Sequence, residues 1–412
     1  MVRVRIAPSP TGIPHIGNTR TALFNYLFAK HNKGKFILRI EDTDRKRIVQ
    51  GAQEAIVEIL DFLGIPPDET YIQSERMDEY KKHAKILLDK KLAYEKEGAV
   101  WMKIPENQIF SWTDLVGNKS ISFKSQDVED FVIIKSDGFP TYHLASVVDD
   151  HLMNISHIIR GDEWISSTPK HLLLYKSFSW TPPFFAHLPV ILGKDKKKLS
   201  KRDGAESVLD YGNEGYLRDA LLNFMVLLGW NPGGDKEIMS MEEMIRLFEL
   251  KDIGTVAPIF DLQKLTWMNG EYVRMMDNKK LKASLLEFYS QDKDVTDFLK
   301  GDPKTLDLIL DLAKTRMKTL KEFKDLVLPK IPELSEEERG IAKTLLKKLL
   351  VIKNWNKTTI LSAMKEVLAM HKAKGSVLYK IITGFEKGLP LPESLEIAGK
   401  EKVIEMLKRL AI

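Results

Sequence analysis

A histidine in a proline- and glycine-rich turn and a lysine-rich segment far downstream are the side chains of this sequence best suited to handling phosphate. The first lies in Pro8-Ser9-Pro10-Thr11-Gly12-Ile13-Pro14-His15-Ile16-Gly17-Asn18. Pro14 stiffens the turn, Gly17 lets backbone approach a ligand, and Asn18 or Thr19 is placed to cap a following helix. Such a helix start offers unpaired N–H groups and the positive end of its dipole to an anion, and His15 can donate a hydrogen bond to charge developing on a phosphate. The second segment, Gly193-Lys194-Asp195-Lys196-Lys197-Lys198-Leu199-Ser200-Lys201-Arg202, carries six cationic side chains in ten residues. A loop bringing Lys198 and Lys201 over a leaving pyrophosphate would neutralise transition-state charge with no protein nucleophile. Taken singly, the two patterns have plainer readings, a turn histidine satisfied by backbone and a solvated charged loop. Their joint occurrence points to ATP.

The elements around these residues are those of a nucleotide-binding sheet. Apolar and basic residues alternate over 2–6, the turn follows, helical spacing runs over 19–30, and a strand is expected at 36–40. That βαβ unit places the His15 turn and Glu41-Asp42-Thr43-Asp44 at the carboxyl ends of parallel strands, where such sheets bind ligands. Helices are expected at 52–63 and 78–90, then a turn-rich stretch of short β-prone pieces over 95–130. The sheet is expected to resume with strands at 131–135, 157–160 and 189–193 and a helix at 168–178. After Arg202 the pattern turns helical, with a boundary near 277–278.

Composition bounds the rest. The 412 residues exceed one ordinary core, and 43% hydrophobic with 29% charged residues describe a folded, soluble protein. The net charge of +5 permits a polyanionic partner without requiring one. Cysteine is absent, which excludes disulfides, thiolate zinc sites and cysteine nucleophiles and favours a reducing, cytoplasmic setting. The first residues contain no long apolar run before Pro8, so neither a signal peptide nor a membrane span is expected.

With these residues in place, the chain resembles the glutamyl-tRNA synthetases, a class I aminoacyl-tRNA synthetase family. Beyond the two segments, the family pattern is matched by Arg39-Ile40-Glu41-Asp42-Thr43-Asp44, Ser136-Asp137-Gly138-Phe139-Pro140-Thr141-Tyr142-His143, Val147-Val148-Asp149-Asp150-His151-Leu152-Met153 and Ile159-Arg160-Gly161-Asp162-Glu163-Trp164. The resemblance implies an α/β fold: a Rossmann-like parallel-sheet catalytic domain with a short inserted subdomain, followed by an all-helical C-terminal anticodon-binding region. The expected divisions are 1–94 and 131–193 for the two catalytic halves, 95–130 for an acceptor-binding insertion, 194–277 for the lysine loop and stem-contact helices, and 278–412 for anticodon binding.

The resemblance also implies site residues. His15, Lys198 and Lys201 would be catalytic. Ser9, His15, Gly17, Glu163, Trp164, Leu192, Lys198 and Lys201 would line the ATP site. Arg5, Ala7, Ser9, Glu41, Tyr142, Ser146 and Arg160 would bind glutamate, with Arg5, Tyr142 and Arg160 on its side-chain carboxylate and Glu41 facing the amino group. Two guanidinium groups suit a carboxylate, and a neutral amide in their place would leave a cation unpaired. Arg316 and Lys380 are expected on tRNA, with Lys318 and Lys321 as further phosphate contacts. Trp355, Tyr379 and Phe385 are possible stacking platforms whose more ordinary place is a helical core. Asp149, Asp150 and His151 read as structural or RNA-facing, and no protein-held metal or zinc is expected; Mg²⁺ would come with ATP.

The sequence departs from the family at Asn18, where a second histidine is usual, and at Ser146, where a longer amide is usual. The insertion is short and lacks zinc-binding cysteines, and Lys380 replaces an arginine. The implied reaction joins L-glutamate to the terminal adenosine of tRNA(Glu) through a glutamyl-adenylate. Glutamylation of tRNA(Gln) as well, and a catalytically silent tRNA-binding relative, are the alternatives. The resemblance implies a monomer with no membrane association.

Overall fold

A computed structural model describes residues 1–199 and 206–410, arranged in two compact units. One comprises Met1–Gly212 with Arg218–Leu265, the other Asn213–Leu217 with Thr266–Ile412.

The chain of the first unit runs β1 (Arg3–Ile6), α1 (Ile16–His31), β2 (Lys35–Ile40), α2 (Ala52–Leu63), β3 (Glu69–Ile72), α3 (Met77–Asp89), β4 (Ala93–Lys96), β5 (Ala99–Met102), β6 (Ile109–Asp114), β7 (Lys119–Lys124), β8 (Phe131–Ile134), α4 (Tyr142–Leu152), β9 (His157–Gly161), α5 (Thr168–Phe178) and β10 (Phe184–Leu188). Helices α6 (Val208–Asn213), α7 (Arg218–Leu227), α8 (Met241–Leu247) and α9 (Leu262–Met275) follow. Strands β1, β2 and β3 form a parallel sheet, with Val4 opposite Phe36 and Ile37 opposite Glu69. The continuous apolar run of Phe36, Ile37 and Leu38 is buried, as expected for a strand covered on both faces. In a second sheet β6, β10 and β9 run parallel and β7 pairs antiparallel to β6. Helix α4 buries Leu144, Ala145, Val147 and Val148 against β8, α3 and α5, which fixes the direction in which its first residue, Tyr142, points.

Three local expectations change. The strand expected at 189–193 lies earlier, at Phe184–Leu188, because Pro189 has no N–H to extend a ladder. Phe131–Ile134 is a strand, but it pairs antiparallel with β5 in a separate sheet β4-β5-β8. The stretch after β5 does not stand apart from the parallel strands, since Asp114 at the end of β6 is in register with Phe185 of β10.

The second unit is helical: α10 (Asn278–Phe288), α11 (Lys293–Leu299), α12 (Pro303–Lys314), α13 (Phe323–Val327), α14 (Glu336–Leu350), α15 (Lys357–His371), α16 (Gly375–Thr383), α17 (Leu391–Ala398) and α18 (Lys400–Leu410). Its helix starts are set by sequence. Asp277, Asp292, Asp302, Ser335 and Asn356 each accept a hydrogen bond from a backbone N–H in the first turn of α10, α11, α12, α14 and α15. One cluster packs around Leu281, Leu310 and Phe323 and another around Leu345, Val367 and Ile381. Among the described residues no helix is long and apolar enough to cross a membrane.

Candidate active site

Parallel pairing brings the carboxyl ends of β1 and β2 side by side, so the residues after Ile6 and after Ile40 enter the same cleft. The cleft, about 670 Å³, is lined by Ala7, Ser9, His15, Glu41, Tyr142 and Trp164 together with Asn18, Asp44, Arg47 and Lys135. The start of α1 forms one wall and the start of α4 another.

His15 itself is the N-cap of α1, a role expected of Asn18 or Thr19. Its Nδ1 accepts hydrogen bonds from the N–H groups of Gly17 at 3.0 Å and Asn18 at 3.4 Å. With Nδ1 an acceptor, the ring proton sits on Nε2, leaving that N–H as the donor for a ligand. Gly17 contributes differently from expected. It does not line the cleft, and a Cβ there would stand 2.8 Å from the His15 ring, so its missing side chain makes room for the imidazole. Burial and the nearby Lys198 charge push the imidazole below its ordinary pKa, favouring the neutral donor.

Lys198 thus stands within electrostatic reach of His15. Lys198 lies on the return limb of a tight hairpin in which Gly193 N–H bonds the Lys197 carbonyl at 2.8 Å and Leu199 N–H bonds the Ile191 carbonyl at 3.0 Å. Leu192 anchors the base through the Pro258 carbonyl at 2.9 Å and the Phe260 N–H at 2.8 Å. Beyond the segment, the Glu206 carbonyl accepts from Ile16 N–H at 3.1 Å, returning the chain to the His15 turn. Lys201 lies outside the described residues.

Beneath the cleft is a buried charge network. Arg39 is fully buried and donates to Asp150 Oδ1 at 2.6 Å, Glu41 Oε1 at 2.9 Å and Ser146 Oγ at 3.2 Å. Asp150 also holds Arg5, whose Nε lies 2.9 Å from Oδ1. Burial alone would raise the Asp150 pKa, but Arg39 and Arg5 outweigh it and hold the carboxyl below the usual range. Glu41 has the opposite fate: burial pushes its pKa up despite Arg39. Asp149 accepts from Gln73 at 2.9 Å, Arg76 at 2.8 Å and Tyr80 at 2.8 Å. Both aspartates are therefore enclosed structural anions and cannot face RNA. Ser146 and Arg5 belong to this floor rather than to the cleft surface.

Arg160 is handled otherwise. It is 5% exposed, and its five N–H groups all go to neutral partners: Nε to His187 Nε2 at 3.1 Å, Nη1 to the Tyr142 hydroxyl at 3.0 Å and His171 Nδ1 at 3.4 Å, Nη2 to the Trp164 carbonyl at 3.3 Å and Thr168 Oγ1 at 2.8 Å. Among the described residues it makes no ion pair. The Tyr142 hydroxyl, accepting from Arg160, is free to donate its own proton into the cleft that Tyr142 lines. Trp164 is 37% exposed with its ring 4.5 Å from that of Tyr142, which makes it a cleft platform rather than core. Glu163 is exposed next to it.

In the helical unit Arg316 is exposed, while Lys380 is bonded to Glu338 Oε1 at 2.7 Å and Lys321 is paired with Glu214. Lys318 is half-buried, its side chain beside Gly270. Trp355 donates to the Leu395 carbonyl at 3.0 Å, and it and Tyr379 pack on the core; Phe385 lies under the Lys330 ammonium. No group of three or more His, Cys, Asp or Glu among the described residues is arranged to hold a metal ion.

A cleft at the carboxyl ends of parallel strands, backed by a buried cation, is the arrangement of a ligand-binding α/β domain. The description "tRNA synthetases class I (E and Q), catalytic domain" matches residues 1–99 and 95–267, and "Anticodon binding domain" matches 280–411. The chain belongs to the class I tRNA synthetase (E and Q) family, a class that uses ATP. Among similar proteins, a glutamate–tRNA ligase of Dehalococcoides mccartyi is 39% identical over 469 residues, covering 98% of this chain and 96% of its own. One of Thermodesulfovibrio yellowstonii is 38% identical, covering 100% and 99%. The crystal structure of a glutamate tRNA ligase from Elizabethkingia meningosepticum in complex with its amino acid superposes with a TM-score of 0.82 at 30% identity, covering 100% of this chain and 99% of that one.

His187 and Asp114 escape a reading by pattern; Arg39 and Asp150 stand in the matched strings, but the sequence gives Arg39 no role and Asp150 only a structural or RNA-facing one. A signal for Arg39 exists, since a strand places it on the same face as Glu41 two residues on, amid apolar neighbours. Asp114 and His187 carry no local signal.

Proposed function

We infer that this protein is a glutamate–tRNA ligase, which activates L-glutamate with ATP and transfers it to the 3′-terminal adenosine of tRNA(Glu), releasing AMP and diphosphate. The observation that carries this reading is Arg160: a buried cation with no anion paired to it among the described residues, projecting its charge into the cleft through Tyr142. A substrate carboxylate is the natural partner. Glutamine there would leave the guanidinium uncompensated, a mismatch of the kind that supports discrimination of about 10⁴ without editing. Glu41, on the same cleft wall, takes the amino group.

The glutamate α-carboxylate then attacks the α-phosphate of ATP; a new P–O bond forms as the bond to the pyrophosphate leaving group breaks. His15 donates from Nε2 to the phosphate oxygens, and Lys198 and Lys201 neutralise the pyrophosphate. Mg²⁺ would come with the nucleotide and supply charge neutralisation, no group of described residues being arranged to hold it. In the second step the 2′-hydroxyl of the terminal adenosine takes the glutamyl group, an adenylate phosphate oxygen accepting its proton. Ser9, Glu163, Trp164 and Leu192 complete the nucleotide site, with Gly17 leaving room for the His15 ring, and Ala7 completes the amino-acid site. The unit of α10 to α18 reads the anticodon, with Arg316 toward phosphate, and the protein works as a cytoplasmic monomer.

The test is AMP formation from ATP. It should require both glutamate and tRNA(Glu), with glutamine unable to substitute. AMP formation unaffected by omitting glutamate, or none with all components present, would refute the reading.

A further inference from the structure

Arg160 is oriented at Nε by an imidazole that is itself oriented by a carboxylate. Asp114, at the end of β6, is buried, and its Oδ1 accepts from the backbone N–H groups of His187 and Val116, each at 3.1 Å. Its Oδ2 faces His187 Nδ1, with Trp112 Nε1 at 3.5 Å. A carboxylate held below its usual pKa, by His187 against the cost of burial, can only accept. His187 must therefore carry its proton on Nδ1 and present a bare Nε2 to Arg160 Nε–H at 3.1 Å, with the Thr168 hydroxyl at 3.4 Å. On the other side of the guanidinium, His171 Nδ1 accepts from Nη1, so its proton sits on Nε2, directed at His143 Nδ1 at 3.3 Å. Burial keeps these rings neutral, and that of His143 titrates at about 4.

We propose that Asp114 is a positioning residue for substrate recognition: through His187 it sets the tautomer that pins the Nε edge of Arg160 and leaves the Nη1 corner on Tyr142 at the cleft. This rests on reading Arg160 as the group that answers the substrate's side-chain carboxylate. The residue belongs to the stretch 95–130, for which the family resemblance implies acceptor binding, and it is not among the residues lining the cleft.

Asp114→Asn tests the idea with almost no change in shape. The two backbone N–H groups at Oδ1 fix the amide oxygen there, so the NH₂ takes the place of Oδ2 and faces His187 Nδ1. Nδ1 must then accept, Nε2 becomes a donor, and it opposes the Nε–H of Arg160. Two readouts separate positioning from mere stability. Nitrogen-15 histidine spectra of the full-length protein should show the His187 proton moving from Nδ1 to Nε2. In tRNA(Glu) charging, the glutamate KM should rise about 10- to 100-fold while the ATP KM changes less than about threefold. In a His187→Leu background the same substitution should add nothing to the glutamate KM.

An unmoved tautomer, or equal rises in both KM values, would overturn the proposal. So would a moved tautomer with an unchanged glutamate KM, and Arg160→Gln then locates the failure. If that variant loses glutamate, only the positioning role of Asp114 falls; if it does not, the reading of Arg160 falls with it.

Discussion

Arg160 Nη1 donates to the Tyr142 hydroxyl at 3.0 Å, and of the two only Tyr142 lines the cleft. The hydroxyl relays the charge: polarised by the guanidinium behind it, it becomes a stronger donor toward the ligand. Arg5, the other arginine expected on the substrate carboxylate, is already paired with Asp150. This difference in partners is why the proposed site gives the substrate carboxylate to Arg160 and leaves Arg5 in the framework.

Arg160→Gln should therefore lower kcat/KM for glutamate by about 10² to 10⁴, with ATP binding within a few fold of wild type. Tyr142→Phe should cost less, about 10- to 100-fold, because the cation stays while one donor is lost. Steady-state charging at varied glutamate and ATP separates the two substrates. A loss in the ATP KM alone would place Arg160 elsewhere in the reaction.

His15 serves two purposes that one substitution can part. Asparagine is a good N-cap, so His15→Asn should keep the first turn of α1 and melt within a degree or two of wild type, but it removes the Nε2 donor. Adenylate formation should fall about 10²- to 10³-fold. Gly17→Ala should give a similar loss by a different route, since its Cβ would meet the ring at 2.8 Å and turn it away. Rapid-quench measurement of the activation step checks both; normal activation in His15→Asn would show that the ring is only a cap.

How far the sequence anticipates all this varies with the range of the interaction. Helix α2 falls at its expected residues, since amphipathic spacing and Gly64, at φ +65°, are local signals. The His15 turn is a local motif, and Lys198 comes within electrostatic reach of it, while Lys201 lies outside the described residues. The antiparallel placement of β8 and the joining of β6 to β10 are pairing choices among distant strands, which no local pattern encodes. The site divides in the same way. Glu41, Tyr142 and Arg160 sit in recognisable strings, whereas Asp114 acquires meaning only through His187, 73 positions away.

Asp150 should carry much of the stability of the first unit. Asp150→Asn leaves Arg39 and Arg5 short of an anion in a dry site and should destabilise by about 3 to 5 kcal/mol at neutral pH. Its folded-state pKa is depressed, so the stabilisation is fully present above the unfolded value of about 4 and disappears as pH falls through the lower folded value. The wild-type advantage over the variant should accordingly shrink below about pH 4. Urea unfolding at neutral and acid pH reads this directly, and a gap independent of pH would mean that the Asp150 charge is not the stabilising feature.

The most direct measurement is charging of purified tRNA(Glu) and tRNA(Gln) by this protein with ATP, labelled glutamate and labelled glutamine being supplied in separate reactions. Glutamate, and not glutamine, should become esterified to tRNA(Glu), and glutamate on tRNA(Gln) as well would identify a non-discriminating enzyme with the same amino-acid site. Esterification of glutamine with an efficiency near that of glutamate would contradict a site built on the unpaired charge of Arg160. Esterification of neither, despite tRNA binding, would leave a tRNA-binding protein without the proposed chemistry.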